Sequence, residues 1–124
     1  MMQIARIYTD EQGESHFEDQ EVTFNAVDYA PPAPPIDISA PYEASQTFLL
    51  HLGPGWEGAA HASPQRQIGV NITGEIELGV SDGERRTFGP GAVILFEDTN
   101  GKGHGTRNAG DGEILMAMTQ LADS

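Results

Sequence analysis

The sequence contains no cysteine among its 124 residues. A chain without thiols can form no disulfide, no zinc–thiolate site and no cysteine nucleophile. Long apolar runs are absent as well, and none approaches the roughly 20 residues that a membrane-spanning helix needs. The first 16 residues become acidic where a secretory signal would have to be apolar. We therefore expect a cytoplasmic protein with no membrane partner.

Basic residues are scarce, because six Lys and Arg stand against 19 Asp and Glu, a formal net charge of −13 at pH 7. Such a surface repels phosphate backbones and anionic lipids, so no nucleic-acid partner is expected. Two of the few basic residues, Arg66 and Arg107, lie close to candidate site residues. A guanidinium fork could orient an anionic or carbonyl-bearing substrate there. The alternative is that both arginines pair with nearby carboxylates.

Length and residue pattern predict one all-β domain. Residues 1–45 combine two short strand patterns with the APPAPP segment at residues 30–35, which lacks backbone donors for a sheet, and we interpret this region as an extended arm. In residues 46–124, short alternating segments are separated by glycine and proline turns, as is typical of a β-sandwich or barrel. Residues 67–73 are an example, with isoleucine and valine on one face and Gln67, Gly69 and Asn71 on the other.

Two segments carry a distinctive spacing of glycine, histidine and asparagine. Following Gly55, the first is HASPQRQIGVNITGE, starting at His61; the second is GKGHGTRN at residues 101–108, with His104 and Asn108. This resembles the two signature motifs of the cupin superfamily, over roughly residues 46–120. The first family motif is Gly, five residues, His-X-His, three or four residues, Glu, six residues, Gly; the second ends in Gly, two residues, His, three residues, Asn.

The resemblance implies a fold and an assembly. The fold is a cupin-like double-stranded β-helix, the jelly-roll barrel also called RmlC-like, here with an N-terminal arm. Arms of cupins often cross to a second subunit, so the resemblance also implies a homodimer.

The first motif departs from the family at two ligand positions. Ser63 stands where the second histidine would be, and Gln67 stands where the glutamate would be. The family's three-histidine, one-carboxylate site suits iron, manganese, nickel or zinc. Here the resemblance leaves His61, Gln67 and His104, which are two imidazoles and a neutral amide. We expect either no cofactor or a weakly bound divalent metal; alternatively, both histidines are hydrogen-bonded pocket residues without a ligand.

The segment EDTNGKGH at residues 97–104 joins two carboxylates to an imidazole. A carboxylate bonded to His104 would fix its tautomer and raise its basicity, as a proton-transfer site requires. Asp98 is the preferred partner, with His61 assisting. The alternative is that this segment is only a solvated turn.

Two further aromatic side chains are candidates for the wall of a ligand pocket. Trp56 would supply a flat apolar wall at the pocket mouth, or would simply pack in the core. His51 would line the lumen or a subunit interface.

Three functions remain compatible with the sequence. The first and favoured one is a small-molecule enzyme of the isomerase, lyase or cyclase type, metal-independent or weakly metal-assisted. In it, His104 and Asp98 transfer protons, His61 assists, and Arg66 or Arg107 orients the substrate. The second is a non-catalytic module that binds a small molecule through hydrogen bonds donated by Ser63 and Gln67. The third is a metal-dependent dioxygenase, which ranks last because the missing histidine and glutamate are the ligands that such chemistry uses.

Overall fold

The computed structural model describes residues 2–122, which form twelve β-strands and no helix. No helix capable of crossing a membrane is therefore found in that range. The strands are β1 (Met2–Thr9), β2 (Ser15–Val22), β3 (Phe24–Val27), β4 (Ile36–Ser39), β5 (Ala44–Leu52), β6 (Glu57–His61), β7 (Gln67–Thr73), β8 (Ile76–Val80), β9 (Arg85–Phe88), β10 (Val93–Phe96), β11 (His104–Asn108) and β12 (Ile114–Leu121).

Two sheets form the body of the protein. The larger has six strands in the order β2-β1-β10-β7-β12-β5, and the smaller has four in the order β6-β11-β8-β9. Their inner faces enclose the larger of two apolar clusters, because successive side chains of each strand alternate between the two faces of a sheet; the smaller cluster contains Ile4, Leu95 and Leu121. This architecture confirms the predicted all-β jelly-roll barrel.

The region expected as an arm divides into two parts. Strand β1 pairs in parallel with β10, from Ala5 opposite Ile94 to Ile7 opposite Phe96, and β2 pairs with β1. Residues 2–22 therefore belong to the larger sheet. Strands β3 and β4 pair with each other in a separate two-stranded sheet. Residues 1, 123 and 124, at the limits of the two expected regions, lie outside the described residues.

The core lies between the two sheets. Ile94 is an example of a side chain that points into this core, since it has no exposed surface. Its neighbours Val93 and Leu95 point to the other side of the sheet. Burying each aliphatic side chain of this size stabilises the fold by about 1.5–3 kcal/mol. The buried core residues are Ala5, Ile7, Phe17, Leu52, Ile76, Leu78, Val80, Ile94, Phe96, Ile114, Met116 and Met118.

Strand β7 turns its polar and small side chains inward. Gly69 and Asn71 are buried, whereas Val70 and Ile72 are exposed on the outer face. A Cβ at Gly69 would lie 2.9 Å from the sulfur of Met118, so a larger residue there would require the methionine side chain to shift. The inward face of β7 therefore delivers Gln67 to the interior of the barrel.

Candidate functional site

A cavity of about 140 Å³ opens between the two sheets. Most of its wall is apolar and comes from the larger sheet and β8, including Leu50, Leu78, Phe96, Met116 and Met118. Its polar side consists of His61, Gln67, His104 and Thr106. An apolar chamber with a few convergent polar groups is the usual form of a small-molecule site.

His61 and His104 face each other across two neighbouring strands. They are paired in the register between β6 and β11, and their ring centroids lie 5.9 Å apart. Gly103 makes this approach possible, because it has a φ of 70° and a Cβ there would overlap the carbonyl group of His61. The histidines of the two sequence motifs therefore line the same cavity.

Asp98 holds His104 by a buried hydrogen bond. Its Oδ2 lies 2.6 Å from Nδ1 of His104, the carboxylate is fully buried, and the histidine is only 6% exposed. An ionised carboxylate can only accept, so Nδ1 carries the proton and Nε2 of the neutral ring is left as a base. Among residues 2–122, no hydrogen bond involves this Nε2. The site therefore contains a carboxylate–imidazole dyad beside an apolar cavity.

The residue before Asp98 anchors the dyad on the opposite side. The Glu97 carboxylate accepts hydrogen bonds from Nε of Arg6 at 2.5 Å and Nε of Arg66 at 2.8 Å. Burial opposes ionisation of Glu97, but the hydrogen bonds from these two arginines outweigh it and lower its pKa. The backbone is fixed as well, because the Ser63 N–H donates to the carbonyl of Asp98 at 2.8 Å. Asp98 is thus held through Oδ2 and through its backbone carbonyl, whereas its Oδ1 is buried and has no partner among the described residues.

Ser63 and Gln67, at the two altered motif positions, bond to each other. Oγ of Ser63 donates its proton to the Gln65 carbonyl at 2.7 Å and accepts a hydrogen bond from Nε2 of Gln67 at 3.3 Å. Oε1 of Gln67 is buried and has no partner among the described residues. Sequence reasoning singled out both residues but missed that they form one unit, since the pattern cannot show how an amide is oriented.

The donor set fits a divalent metal poorly. Within the described range, no group of three His, Cys, Asp or Glu side chains is arranged to hold a metal ion. Nδ1 of His61 is engaged with the Ala62 carbonyl at 2.8 Å, and the amide of Gln67 supplies no negative charge. Iron, manganese, nickel and zinc are typically bound by more nitrogen and anionic oxygen donors than this site offers.

Trp56 lies at the mouth of the cavity. Its indole packs against Gly58, where a Cβ would come within 2.5 Å of Cη2, and the side chain is 42% exposed. A half-exposed ring that lines the cavity can cover a bound molecule without filling the core. Trp56 is therefore a wall residue.

Three expected substrate-binding residues do not line this cavity. Arg66 is bonded to Glu97, Arg107 donates to Glu77 at 3.0 and 3.3 Å, and His51 lies 2.8 Å from Glu113. The hydrogen bonds from Arg107 lower the pKa of Glu77. His51 and Arg107 alternate along their strands with the cavity-lining residues Leu50, Leu52 and Thr106, so their side chains point to the other face, and Arg66 lies just before β7. Carboxylate pairing, the alternative for the arginines, is what the structure contains.

A wider groove of about 460 Å³ lies on the outer side of the smaller sheet. Its rim includes Arg85, Lys102 and Arg107, so it collects three of the six basic residues of the chain. Arg85 and Arg107 both bond to Glu77, and Lys102 bonds to Glu14. Each of these three cations is therefore paired with a carboxylate among the described residues.

Comparison with known proteins gives a family match. The sequence model described as Cupin domain matches residues 48–119, more than half of the chain. A comparison with curated proteins gave no match.

Solved structures show the same fold at low sequence identity. A Cupin 2 conserved barrel domain protein from Salinispora arenicola is 24% identical with a TM-score of 0.52, covering 83% of this chain and 76% of that one. A cupin domain from Bordetella pertussis is 15% identical with a TM-score of 0.52, covering 84% and 98%. An RmlC-like cupin from Shewanella frigidimarina is 17% identical with a TM-score of 0.50, covering 100% and 97%. At these identities the similarity extends to the fold alone.

Proposed function

Because this chain belongs to the cupin family, we propose that its cavity holds a small molecule and that His104, paired with Asp98, transfers a proton to or from it. The observation that carries the proposal is the 2.6 Å contact between Asp98 and Nδ1 of His104. The carboxylate fixes the tautomer in which Nε2 is the free base and stabilises the imidazolium that forms when this base takes a proton.

The proposed chemistry is isomerisation, elimination or cyclisation without a cofactor. Nε2 of His104 removes a proton from the substrate and returns it at another atom of the substrate or to its leaving group. The apolar wall excludes water, which strengthens the electrostatic attraction between the imidazolium and Asp98. His61, whose ring lies 5.9 Å from that of His104, is placed to contact the same substrate. Arg66 and Arg107 have no part in this proposal.

The alternative is a binding module without catalysis. The observation in its favour is the apolar character of the cavity, which suits a ligand held chiefly by burial. A metal-dependent dioxygenase is the weakest candidate, because Ser63 and Gln67 replace ligands on which that chemistry depends.

Proton–deuterium exchange tests the first proposal. A set of small ketones with acidic C–H groups is incubated with the protein in D₂O, and exchange is followed by ¹H NMR. We expect catalysed exchange that falls by about 10²–10⁴-fold in Asp98→Asn and His104→Gln. Asp111→Asn, at an exposed position, is the matched control and should keep the wild-type rate. Ketones that bind without exchange, with the same affinity in Asp98→Asn, would favour the binding module instead.

We also propose that the protein forms a homodimer. Support comes from two exposed apolar surfaces of the same chain. One is the β3–β4 hairpin, with Phe24, Val27 and Ile36 each more than 40% exposed. The other is the outer face of the larger sheet, where Ile72 is 44% and Leu49 is 69% exposed. Contact between the hairpin of one subunit and the sheet of its partner would bury both surfaces.

Analytical ultracentrifugation tests the assembly. Ile72→Lys should shift the protein from dimer to monomer, because it places a charge in the centre of the proposed contact. Arg85→Ala, on the other sheet, should leave the dimer intact. A wild-type protein that sediments as a monomer at micromolar concentration would refute the proposal.

A further inference from the structure

Gln67 is fixed in one orientation by Ser63. The hydroxyl of Ser63 has a single proton, and that proton is donated to the Gln65 carbonyl. Towards Gln67 it can therefore only accept, so the amide must turn its nitrogen to Ser63. The amide oxygen of Gln67 is left on the other side. The expectation that both residues donate hydrogen bonds to a ligand is thereby replaced, because the hydroxyl proton of Ser63 is already used.

The oxygen of Gln67 is an acceptor in need of a donor. It is buried and unpaired among the described residues, and the side chain of Gln67 lines the cavity. A buried acceptor without a partner is unfavourable, because it has lost its hydrogen bonds to water. Nε2 of His104 is a second acceptor at the cavity, since Nδ1 donates to Asp98, and Nε2 of His61 is a third, since its Nδ1 donates to the Ala62 carbonyl. The hydroxyl of Thr106 can donate or accept. Among these acceptors, the oxygen of Gln67 is the one that is buried without a partner among the described residues.

The charge and the volume of the cavity restrict the class of ligand further. None of the six Lys and Arg side chains lines the cavity, and a buried carboxylate, Asp98, lies directly behind His104. An anionic ligand would thus be desolvated without a cationic partner, which is costly. A cavity of about 140 Å³ is close to the roughly 150 Å³ that accommodates benzene in an apolar protein interior.

We propose that Ser63 and Gln67 together form a donor-recognition site, which makes the cavity selective for a small, uncharged, largely apolar molecule carrying a hydroxyl or N–H group. The proposal rests on the cavity being the ligand site of the proposed function, and it adds the class of the ligand. Gln67 makes the contact and Ser63 is a positioning residue. The two departures from the metal motif then have one joint role.

Matched probes test this selectivity by protein-observed NMR titration. Phenol and toluene have the same shape, but only phenol has a donor; benzoate adds a negative charge. We expect phenol to bind about 2–10-fold more tightly than toluene, the effect of one net hydrogen bond, and benzoate to bind more weakly than either. Equal binding of phenol and toluene, tighter binding of benzoate, or binding of none of the three would overturn the proposal.

Two variants and one control locate the effect. Gln67→Met keeps the length of the side chain and removes the acceptor, so the preference for phenol should disappear while toluene still binds. Ser63→Ala frees the amide to rotate and should reduce the preference in part, with the fold checked by thermal unfolding. Gln46→Met makes the same chemical change on the exposed strand β5 and should retain the preference. A preference that survives in Gln67→Met would refute the role of that residue.

The test of the ligand class can fail or succeed independently of the test of the proposed catalysis. Proton exchange and the preference for phenol over toluene are measured independently of each other on the wild-type protein. Exchange without the preference would refute the ligand class alone. The preference without exchange would refute the catalysis alone.

Discussion

Glu97 and Asp98 are neighbours in the chain whose carboxylates point to opposite sides of the end of β10. The carboxylate of Glu97 binds Arg6 of β1 and Arg66 near β7, whereas that of Asp98 binds His104 of β11. One dipeptide therefore joins the outer surface of the larger sheet to the interior of the barrel. A substitution that removes the ion pairs of Glu97 should therefore also affect the position of Asp98 and its hydrogen bond to His104.

Replacing Glu97 by Gln tests this connection. The variant removes the charge that two arginines share, and we expect the free energy of unfolding to fall by about 1–3 kcal/mol, the range for hydrogen bonds to a partly buried charged group. Urea denaturation measures the change. Glu113→Gln removes a carboxylate that is 69% exposed and bonded to His51, and should change stability by less than about 1 kcal/mol. Equal effects of the two substitutions would show that Glu97 is not an anchor.

The tautomer of His104 should depend on Asp98. In the wild-type protein, ¹⁵N NMR of the imidazole should show the proton on Nδ1, because the Asp98 carboxylate can only accept. Asp98→Asn introduces an amide that can also donate to Nδ1, so the form with the proton on Nε2 should become populated. A wild-type spectrum with the proton on Nε2 would contradict the assignment of His104 as the base.

Much of the fold can be predicted from local pattern, and the reason is visible in individual residues. Alternation along residues 67–73 separates Gln67 from Ile68, and glycines such as Gly103 mark where two backbones approach closely. The predicted pairing of His104 with Asp98 needs only a short loop, since six positions separate them. Local spacing was sufficient for these features.

Other features depend on contacts between distant segments. The parallel pairing of β1 with β10 joins Ile7 to Phe96, and nothing in either strand specifies the other. In a chain with 19 carboxylates, the sequence also cannot select Glu97 as the partner of Arg66 or Glu77 as that of Arg107. Likewise, the orientation of Gln67 follows from the single proton of a serine hydroxyl, which requires coordinates.

The N-terminal hairpin should give stability a defined pH dependence. His16 lies between Asp10 and Asp82, 2.6 and 2.8 Å from their carboxylates, and hydrogen bonds to Asp10 and then Asp82 raise its pKa. The hydrogen bond from His16 in turn lowers the pKa of Asp10. The folded state thus favours charged histidine beside charged carboxylates.

The sign of the effect follows from these directions. The contribution of His16 is complete below its ordinary pKa of about 6.5 and is lost as pH rises through the raised value in the folded state. The contribution of Asp10 is present above about pH 3.9, the ordinary pKa of an aspartate, and is lost as pH falls through the lowered pKa of Asp10 in the folded state. The stability difference between wild type and His16→Gln should therefore be largest between about pH 4 and 6.5 and shrink at higher pH. Urea unfolding across pH measures it, and a constant difference would contradict the pairing.

Restoring the two altered motif residues should restore metal binding. In the double variant Ser63→His with Gln67→Glu, a third imidazole and a carboxylate join His61 and His104, which gives the nitrogen and anionic oxygen donors that divalent transition metals prefer. Ser63 is only 2% exposed, so the larger side chain should cost about 1–3 kcal/mol of stability through overpacking. Calorimetric titration with Ni²⁺ should show binding that is orders of magnitude tighter than in the wild type. Ser63→Ala with Gln67→Glu, which lacks the added imidazole, is the control and should bind less tightly than the double variant. Equal affinity of the wild type and the double variant would mean that positions 63 and 67 do not face the cavity in a ligand geometry.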